Sequence, residues 1–250
     1  MTNLHSKRII ELDRIDSTNL YAIQLLKTER VGEGTVIWAH WQTAGKGQGE
    51  NKWISQSGKN ITISLILYPS FLPVESQFML NKSVSLAVLD FVHTLVPVGS
   101  CKIKWPNDIY TGSSKLGGIL INNTISGSSF DTSIIGIGIN INQTRFDPAI
   151  PNPISIKQLL SGDTDIGHGL IALIGKLDHR YEQLKKGDFS ILDQEYRDNL
   201  LGINEERRFI KNGDVFNGSI RDVDLFGRLI IETADNTRAT LSHKEVEWQW

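Results

Sequence analysis

The 250-residue chain has little of several things, and each shortage removes a class of protein. It holds one cysteine, Cys101, so no internal disulfide can form and the composition suits a reducing compartment. Cys101 lies in an apolar stretch, where a thiol reads as a small buried hydrophobe rather than a nucleophile. Charge of one sign is not in excess: 26 Lys and Arg against 28 Asp and Glu give a formal net charge of −2, which argues against nucleic-acid binding by bulk electrostatics. No run is long and apolar enough to span a bilayer, and the first residues lack an apolar signal core, so a cytoplasmic protein that avoids membranes is expected. The histidines (His5, His40, His93, His168, His179, His243) show neither HxxxH nor HExxH spacing, so sequence-local ligands for zinc are not expected. Internal repeats and low-complexity tracts are also missing.

What remains is ordinary globular material, 40% hydrophobic and 22% charged, enough for one substantial domain or one domain plus a small module. Residues 7–12 predict a short strand. Asp16 or Ser17 then caps a helix with Leu20, Ile23 and Leu26 on its apolar face. Residues 35–41 predict a strand, and residues 44–52 a polar glycine-rich loop. Residues 60–68 alternate (Ile61, Ile63, Leu65, Leu67) as a strand ending at Pro69. Residues 78–96 have the spacing of a buried helix, and residues 101–104, 115–122 and 133–142 predict further strands. From 154 to 201 the pattern is helical, with Leu170, Leu173, Ile174, Leu177 and Tyr181 on one stripe. Beyond about Glu205 it changes again. Short strands at 208–211, 215–223, 228–233 and 238–241, separated by Asn212-Gly213, Phe226-Gly227 and Asp235-Asn236, predict a small barrel. The fold class is therefore α+β, with domains at 1–205 and 206–250.

Five segments carry chemistry. Lys104-Trp105-Pro106-Asn107-Asp108 ends a strand at a proline and sets an amide beside a carboxylate. Lys115-Leu116-Gly117-Gly118 follows, and its paired glycines admit close approach to the backbone. A capped surface turn and a reactive site both fit these residues; a carboxylate beside a fixed cation is what acyl transfer through a phosphorylated intermediate needs. Ser17-Thr18-Asn19 stands at a helix N-terminus, as either a plain cap or a polar ligand contact. Gly45-Lys46-Gly47-Gln48-Gly49 lacks the GxxxxGK[ST] pattern, which leaves a mobile hairpin tip or a phosphate-covering loop. Gly136-Ile137-Gly138-Ile139-Asn140 lies inside a strand and is not GxGxxG, so a dinucleotide fold is a poor reading.

In their order and spacing along the chain, residues 16–19, 41–53, 104–108 with 115–118, and 136–142 resemble the biotin protein ligases, enzymes that adenylate biotin and transfer it to a carrier lysine. The resemblance covers most of residues 7–145 and extends loosely into the C-terminal module. It implies a mixed β-sheet with flanking helices, of the class II synthetase type, followed by a small SH3-like barrel. It also implies MgATP and biotin as ligands, and as partner the biotin carboxyl carrier domain of a biotin-dependent carboxylase.

Residue by residue, Ser17, Thr18, Asn19 and Gln42 would hold the fused rings of biotin. The loop residues Gly45, Lys46, Gly47 and Gln48 would close over it, and Gly117 and Gly118 would make room for its thiophene ring and valeryl chain. Lys115 would bridge the biotin carboxylate and the α-phosphate of ATP; Asp108 would position and deprotonate the carrier lysine; Lys46 would be the cation of the lid. On the nucleotide side the resemblance places Lys46, Gly47, Gln48, Trp53, Asn107, Lys115, Gly136 and Asn140, with Trp53 stacking on adenine and Asn140 reaching it; it names no magnesium ligands. The chain departs from the pattern at Gln48, where the family usually has an arginine, and weaker retention of the adenylate is expected.

Some relatives carry an N-terminal winged helix that represses transcription. Because the ligase segments begin by Asp16, a monofunctional enzyme without operator binding is expected, as monomer or homodimer. The rivals are a lipoate or octanoate ligase or transferase of the same catalytic fold, and a non-catalytic biotin or nucleotide sensor.

Overall fold

The computed structural model describes residues 8–127 and 129–249; Lys7, the start of the first expected strand, lies outside them. That strand, β1 (Ile9–Ile15), runs parallel to β2 (Val36–Gln42), with α1 (Thr18–Thr28) crossing between them. Two short pieces, β3 (Gly45–Lys46) and β4 (Lys52–Trp53), pair as the base of the glycine-rich hairpin. β5 (Asn60–Leu67) leads to the long helix α2 (Gln77–Leu95). A meander of β6 (Lys102–Lys104), β7 (Asp108–Thr111), β8 (Ser114–Ser126) and β9 (Ser129–Asn140) follows. The seven-stranded sheet has the order β1-β2-β5-β9-β8-β7-β6, and every neighbour pair except β1–β2 is antiparallel.

Three helices, α3 (Ile156–Leu160), α4 (Ile166–Lys186) and α5 (Phe189–Asp198), complete this layer. Asp165 caps α4 by accepting from the His168 amide, and Gly187 ends it in the left-handed region. The stripe Leu170, Leu173, Ile174, Leu177 and Tyr181 is buried as its spacing requires, with α4 packed on α2 and β5. Among the described residues no helix is long and apolar enough to cross a membrane.

The alternation of β5 has an outcome that a half-solvated strand would not show: all eight positions are buried. Ile61, Ile63 and Leu65 pack into the main core with α2, while Thr62 and Ser64 lie under α1 and a cavity. The polar face is covered, not wet. The α1 expectation needs the matching correction. Its buried face is Thr18, Asn19, Ala22 and Leu25, whereas Leu20, Ile23 and Leu26 are only half-buried. The helix turns its polar first residues inward and packs Ala22 and Leu25 on Ile37, Ile66 and Ile134.

The C-terminal five-stranded sheet, β10 (Glu206–Lys211), β11 (Asp214–Val223), β12 (Leu229–Glu232), β13 (Arg238–Leu241) and β14 (Glu247–Gln249), is antiparallel in the order β13-β12-β11-β10-β14, as an SH3-like module requires. Asn212 and Gly213 both have positive φ (55° and 89°), the geometry of a tight two-residue hairpin. The sequence reading lacked β14, whose three residues are too few to show a period. The module is docked, not tethered. Phe209, Ile220, Val223, Leu229 and Ile231 belong to the same buried cluster as α2, and the Trp105 indole donates to Gly227 O at 2.9 Å.

Candidate active site

A cavity of about 280 Å³ opens on the α1 face of the sheet. Its floor is made by register. Gly118 stands opposite Gly138, which pairs with Thr62; one row along, Leu120 stands opposite Gly136, which pairs with Ser64. Three glycines therefore meet on two central strands, where no side chain rises from the sheet. Each is used. A Cβ on Gly136 would come within 2.6 Å of Asn19 Oδ1, one on Gly138 within 2.4 Å of the Trp53 ring, and one on Gly118 within 3.0 Å of Asp108 Oδ1.

At one end of the cavity the polar groups are buried and mutually oriented. Ser17 occupies the N-cap position of α1 but its side chain makes no capping hydrogen bond, so the plain cap is not its role. The Thr18 amide and hydroxyl both donate to Gln42 Oε1, at 2.7 and 3.0 Å, which leaves the Gln42 –NH2 as the group available to a ligand. The Ser64 hydroxyl touches Thr18 Oγ1 at 2.7 Å and the Asn19 amide, and Asn19 Nδ2 donates to Asn122 Oδ1 at 3.0 Å. Ser64 and Asn122 were not singled out from the sequence. The covered polar face of β5 is the signal that finds Ser64.

At the other end stand the charges. β7 and β8 pair Ile109 with Gly117 but Tyr110 with Lys115, so Leu116 is an extra residue in β8. Alternation alone would send residues 115 and 118 to opposite faces; the bulge brings Lys115 to the face of Gly118. There its ammonium meets Asp108 Oδ2 at 2.6 Å. Lys104, opposite Asp108 on β6, also lines the cavity, and its pKa is pushed below the usual lysine value, first by burial and further by Lys115, with Asp108 opposing. Lys46 and Lys52 reach the same cavity from the hairpin. Four lysines thus face it against one carboxylate, Asp108, although the chain as a whole is slightly acidic. Such a lining concentrates anions.

Most residues singled out from the sequence meet here: Ser17, Thr18, Asn19, Gln42, Lys46, Gly47, Gln48, Trp53, Asn107, Asp108, Lys115, Gly118 and Gly136 all line the cavity. Gly45, Gly117 and Asn140 do not line it. Gly45 pairs with Trp53 at the base of the hairpin. Gly117, opposite Ile139, lies on the other face of the sheet from Gly118, and the Asn140 amide is spent donating to Ile154 O at 3.0 Å. Trp53 lies across Gly138, and its buried indole N–H has no partner, a donor left for a ligand. Residues that sequence reasoning passed over include Lys104 as a separate cation and His243, which arrives from the C-terminal module.

A seven-stranded mixed sheet flanked by helices, carrying a cavity with a cationic end and a closed polar end, is a fold of the class II synthetase type. The comparisons give the family. Residues 11–140 match the model described as the Biotin/lipoate A/B protein ligase family, and the chain belongs to it. It is 28% identical over 248 residues to the bifunctional ligase/repressor BirA of Bacillus subtilis, covering 96% of this chain and 74% of that protein. It is also 28% identical to the biotin–[acetyl-CoA-carboxylase] ligase of Mycobacterium tuberculosis, over 91% of this chain and 85% of the relative. Among solved structures, the biotin protein ligase from Aquifex aeolicus in complex with biotin and ATP superposes with a TM-score of 0.80 at 25% identity, covering 97% of this chain and 99% of that one.

Proposed function

We propose that this protein is a biotin protein ligase, which activates biotin as biotinyl-5′-AMP with ATP and passes the acyl group to a lysine of a biotin carboxyl carrier domain. The observation that carries the reading is the single cavity with Lys115 and Asp108 at one end and the Ser17–Thr18–Asn19–Gln42 cluster at the other. A cyclic urea needs donors and acceptors together, and the cluster offers both. A lipoyl or octanoyl chain would give the Gln42 –NH2, the donor of this cluster not spent on a neighbour, no acceptor, a penalty of about 1–3 kcal/mol that favours biotin over the sister substrates. A sensor without chemistry would have no need of the bulge that turns Lys115 into the cavity.

In the first half-reaction the biotin carboxylate must approach the α-phosphate. Lys115, fixed between them, offsets their repulsion and the charge that develops as pyrophosphate leaves. Gly118 and Gly136 leave the floor open to the acyl chain and nucleotide, Trp53 offers a ring face to adenine, and Asn107 stands beside the mixed anhydride. Magnesium enters with ATP. It would be held chiefly by the substrate phosphates, because Asp108, the carboxylate on the cavity wall, is already paired with Lys115. In the second half-reaction Asp108 positions the incoming lysine. The catalytic unit would comprise residues 1–205 and the barrel 206–250.

The hairpin between β3 and β4 carries Lys46 and Gln48 over the site. Gln48 donates to phosphate without charge; a charged donor is worth about 1 kcal/mol more. Gln48→Arg is therefore expected to slow dissociation of the bound adenylate about fivefold. The check is release of radiolabelled biotinyl-adenylate after dilution, and an unchanged rate would refute the role given to this position.

A further inference from the structure

The turn between β13 and β14 is closed by the Glu245 amide donating to Ser242 O at 3.0 Å and the Ser242 amide donating to the Glu245 carboxylate at 2.7 Å. It carries His243 out of the C-terminal module onto the catalytic sheet. The imidazole packs on Trp105 with ring centroids 5.5 Å apart and planes at 48°, and it lines the active-site cavity near Lys104, Asn107 and Asp108. It also lines a second hollow of about 280 Å³ between the two modules, whose walls include Phe78, Ile121, Phe226 and Arg228. Gln48, Asn107 and His243 border both hollows, so the imidazole stands where they join.

The charged groups around it come from three elements: Lys104 on β6, Asp108 on β7, and Lys244 in its own turn. Burial, then Lys104 and Lys244, push the His243 pKa down, and Asp108 opposes them. Arg228, in the second hollow, is paired with Asp224 at 2.7 Å. A neutral imidazole at neutral pH is a proton acceptor. Asp108, by contrast, is engaged by the Lys115 ammonium at 2.6 Å.

We propose that His243 is a catalytic residue of the transfer step and takes the proton that the carrier lysine must lose. This rests on the ligase reading. The lysine arrives as an ammonium and gives one proton to water. Its lone pair then forms the C–N bond at the acyl carbon of biotinyl-AMP. The surplus N–H proton passes to His243, and the acyl C–O bond breaks with its electron pair leaving on the α-phosphate oxygen of AMP. The imidazolium afterwards returns its proton to solvent, which reaches the residue on the side away from Trp105 although the ring is partly covered. The second hollow suits the approaching side chain: Phe78, Ile121 and Phe226 offer apolar contact to a tetramethylene stem, and His243 borders the same hollow. Adenylation needs no such base, because the biotin carboxylate is already ionised near neutral pH.

The test uses the full chain, its biotin-dependent ATP–pyrophosphate exchange, and single-turnover transfer from enzyme-bound biotinyl-AMP to a purified biotin carboxyl carrier domain. For His243→Gln, transfer is expected to fall about 100-fold at pH 8, far more than exchange does. That deficit should shrink as the pH falls and the wild-type imidazole becomes protonated itself, at a pH below the usual histidine range because its pKa is lowered. Added imidazole should restore part of the transfer rate of His243→Ala. A deficit constant across pH, an equal loss in both half-reactions, or no deficit would overturn the proposal while leaving the ligase reading intact. Failure of the wild type to catalyse any biotin-dependent exchange would instead remove the reading beneath it.

Discussion

Lys115→Ala is expected to lower biotin-dependent ATP–pyrophosphate exchange by about 10²–10³-fold, the usual loss when one preorganised charge-stabilising donor is removed from an active site. Stability should hardly move. The Lys115–Asp108 pair keeps 32% and 25% side-chain exposure, and ion pairs with that much water nearby contribute about 0–1 kcal/mol. A large loss of rate with an unchanged melting temperature therefore separates catalysis from folding. Lys115→Arg should rescue little, because the flat guanidinium is wider than the ammonium and must fit between Asp108 and a bare glycine floor. Exchange near the wild-type rate in Lys115→Ala would mean that the cation does not bridge the two reacting anions.

The second large effect is on the joint between modules. Gly227 has φ +82°, and a Cβ there would come within 2.3 Å of the Phe78 ring. Alanine meets two penalties at once, a left-handed backbone worth about 1–2 kcal/mol and an overpacked contact worth about 1–3 kcal/mol, so Gly227→Ala should lose roughly 3 kcal/mol. The Gly227 carbonyl also accepts from Trp105, two residues before Asn107, so displacing it disturbs the reactive turn as well. Denaturant unfolding measures the stability change, and carrier transfer should fall together with it. A loss below about 0.5 kcal/mol would show that the Asp224–Arg228 turn is not seated on Phe78 as described.

Much of this was legible in the sequence, and the reasons differ from element to element. The strand at 60–67 and the helix at 77–95 announce themselves because the apolar face each turns to the main core imposes a period. What the polar half of that strand does is not legible, since a face covered by α1 and a cavity carries the same small polar residues as a face in water. The same ambiguity put the buried stripe of α1 on Leu20, Ile23 and Leu26, when the helix instead commits Thr18 and Asn19 inward. Lys115 and Asp108 could be named as a pair, but that they share a face depends on the bulge at Leu116, which periodicity cannot reveal. Gly117 and Asn140 sit in the right segments yet look away from the cavity, one by strand parity and one through its bond to Ile154. In the sequence His243 is one of six histidines without metal-ligand spacing, and nothing local marks it. Its place in the site is a product of docking between modules far apart in the chain.

The most direct measurement is ATP–pyrophosphate exchange by the purified protein with biotin, lipoate or octanoate as the only acid. The account predicts exchange with biotin alone, because the ureido carbonyl offers an acceptor to the Gln42 –NH2 that an acyl chain lacks. Exchange supported by lipoate or octanoate and not by biotin would contradict it, and would make the protein a ligase of the sister specificity within the same family.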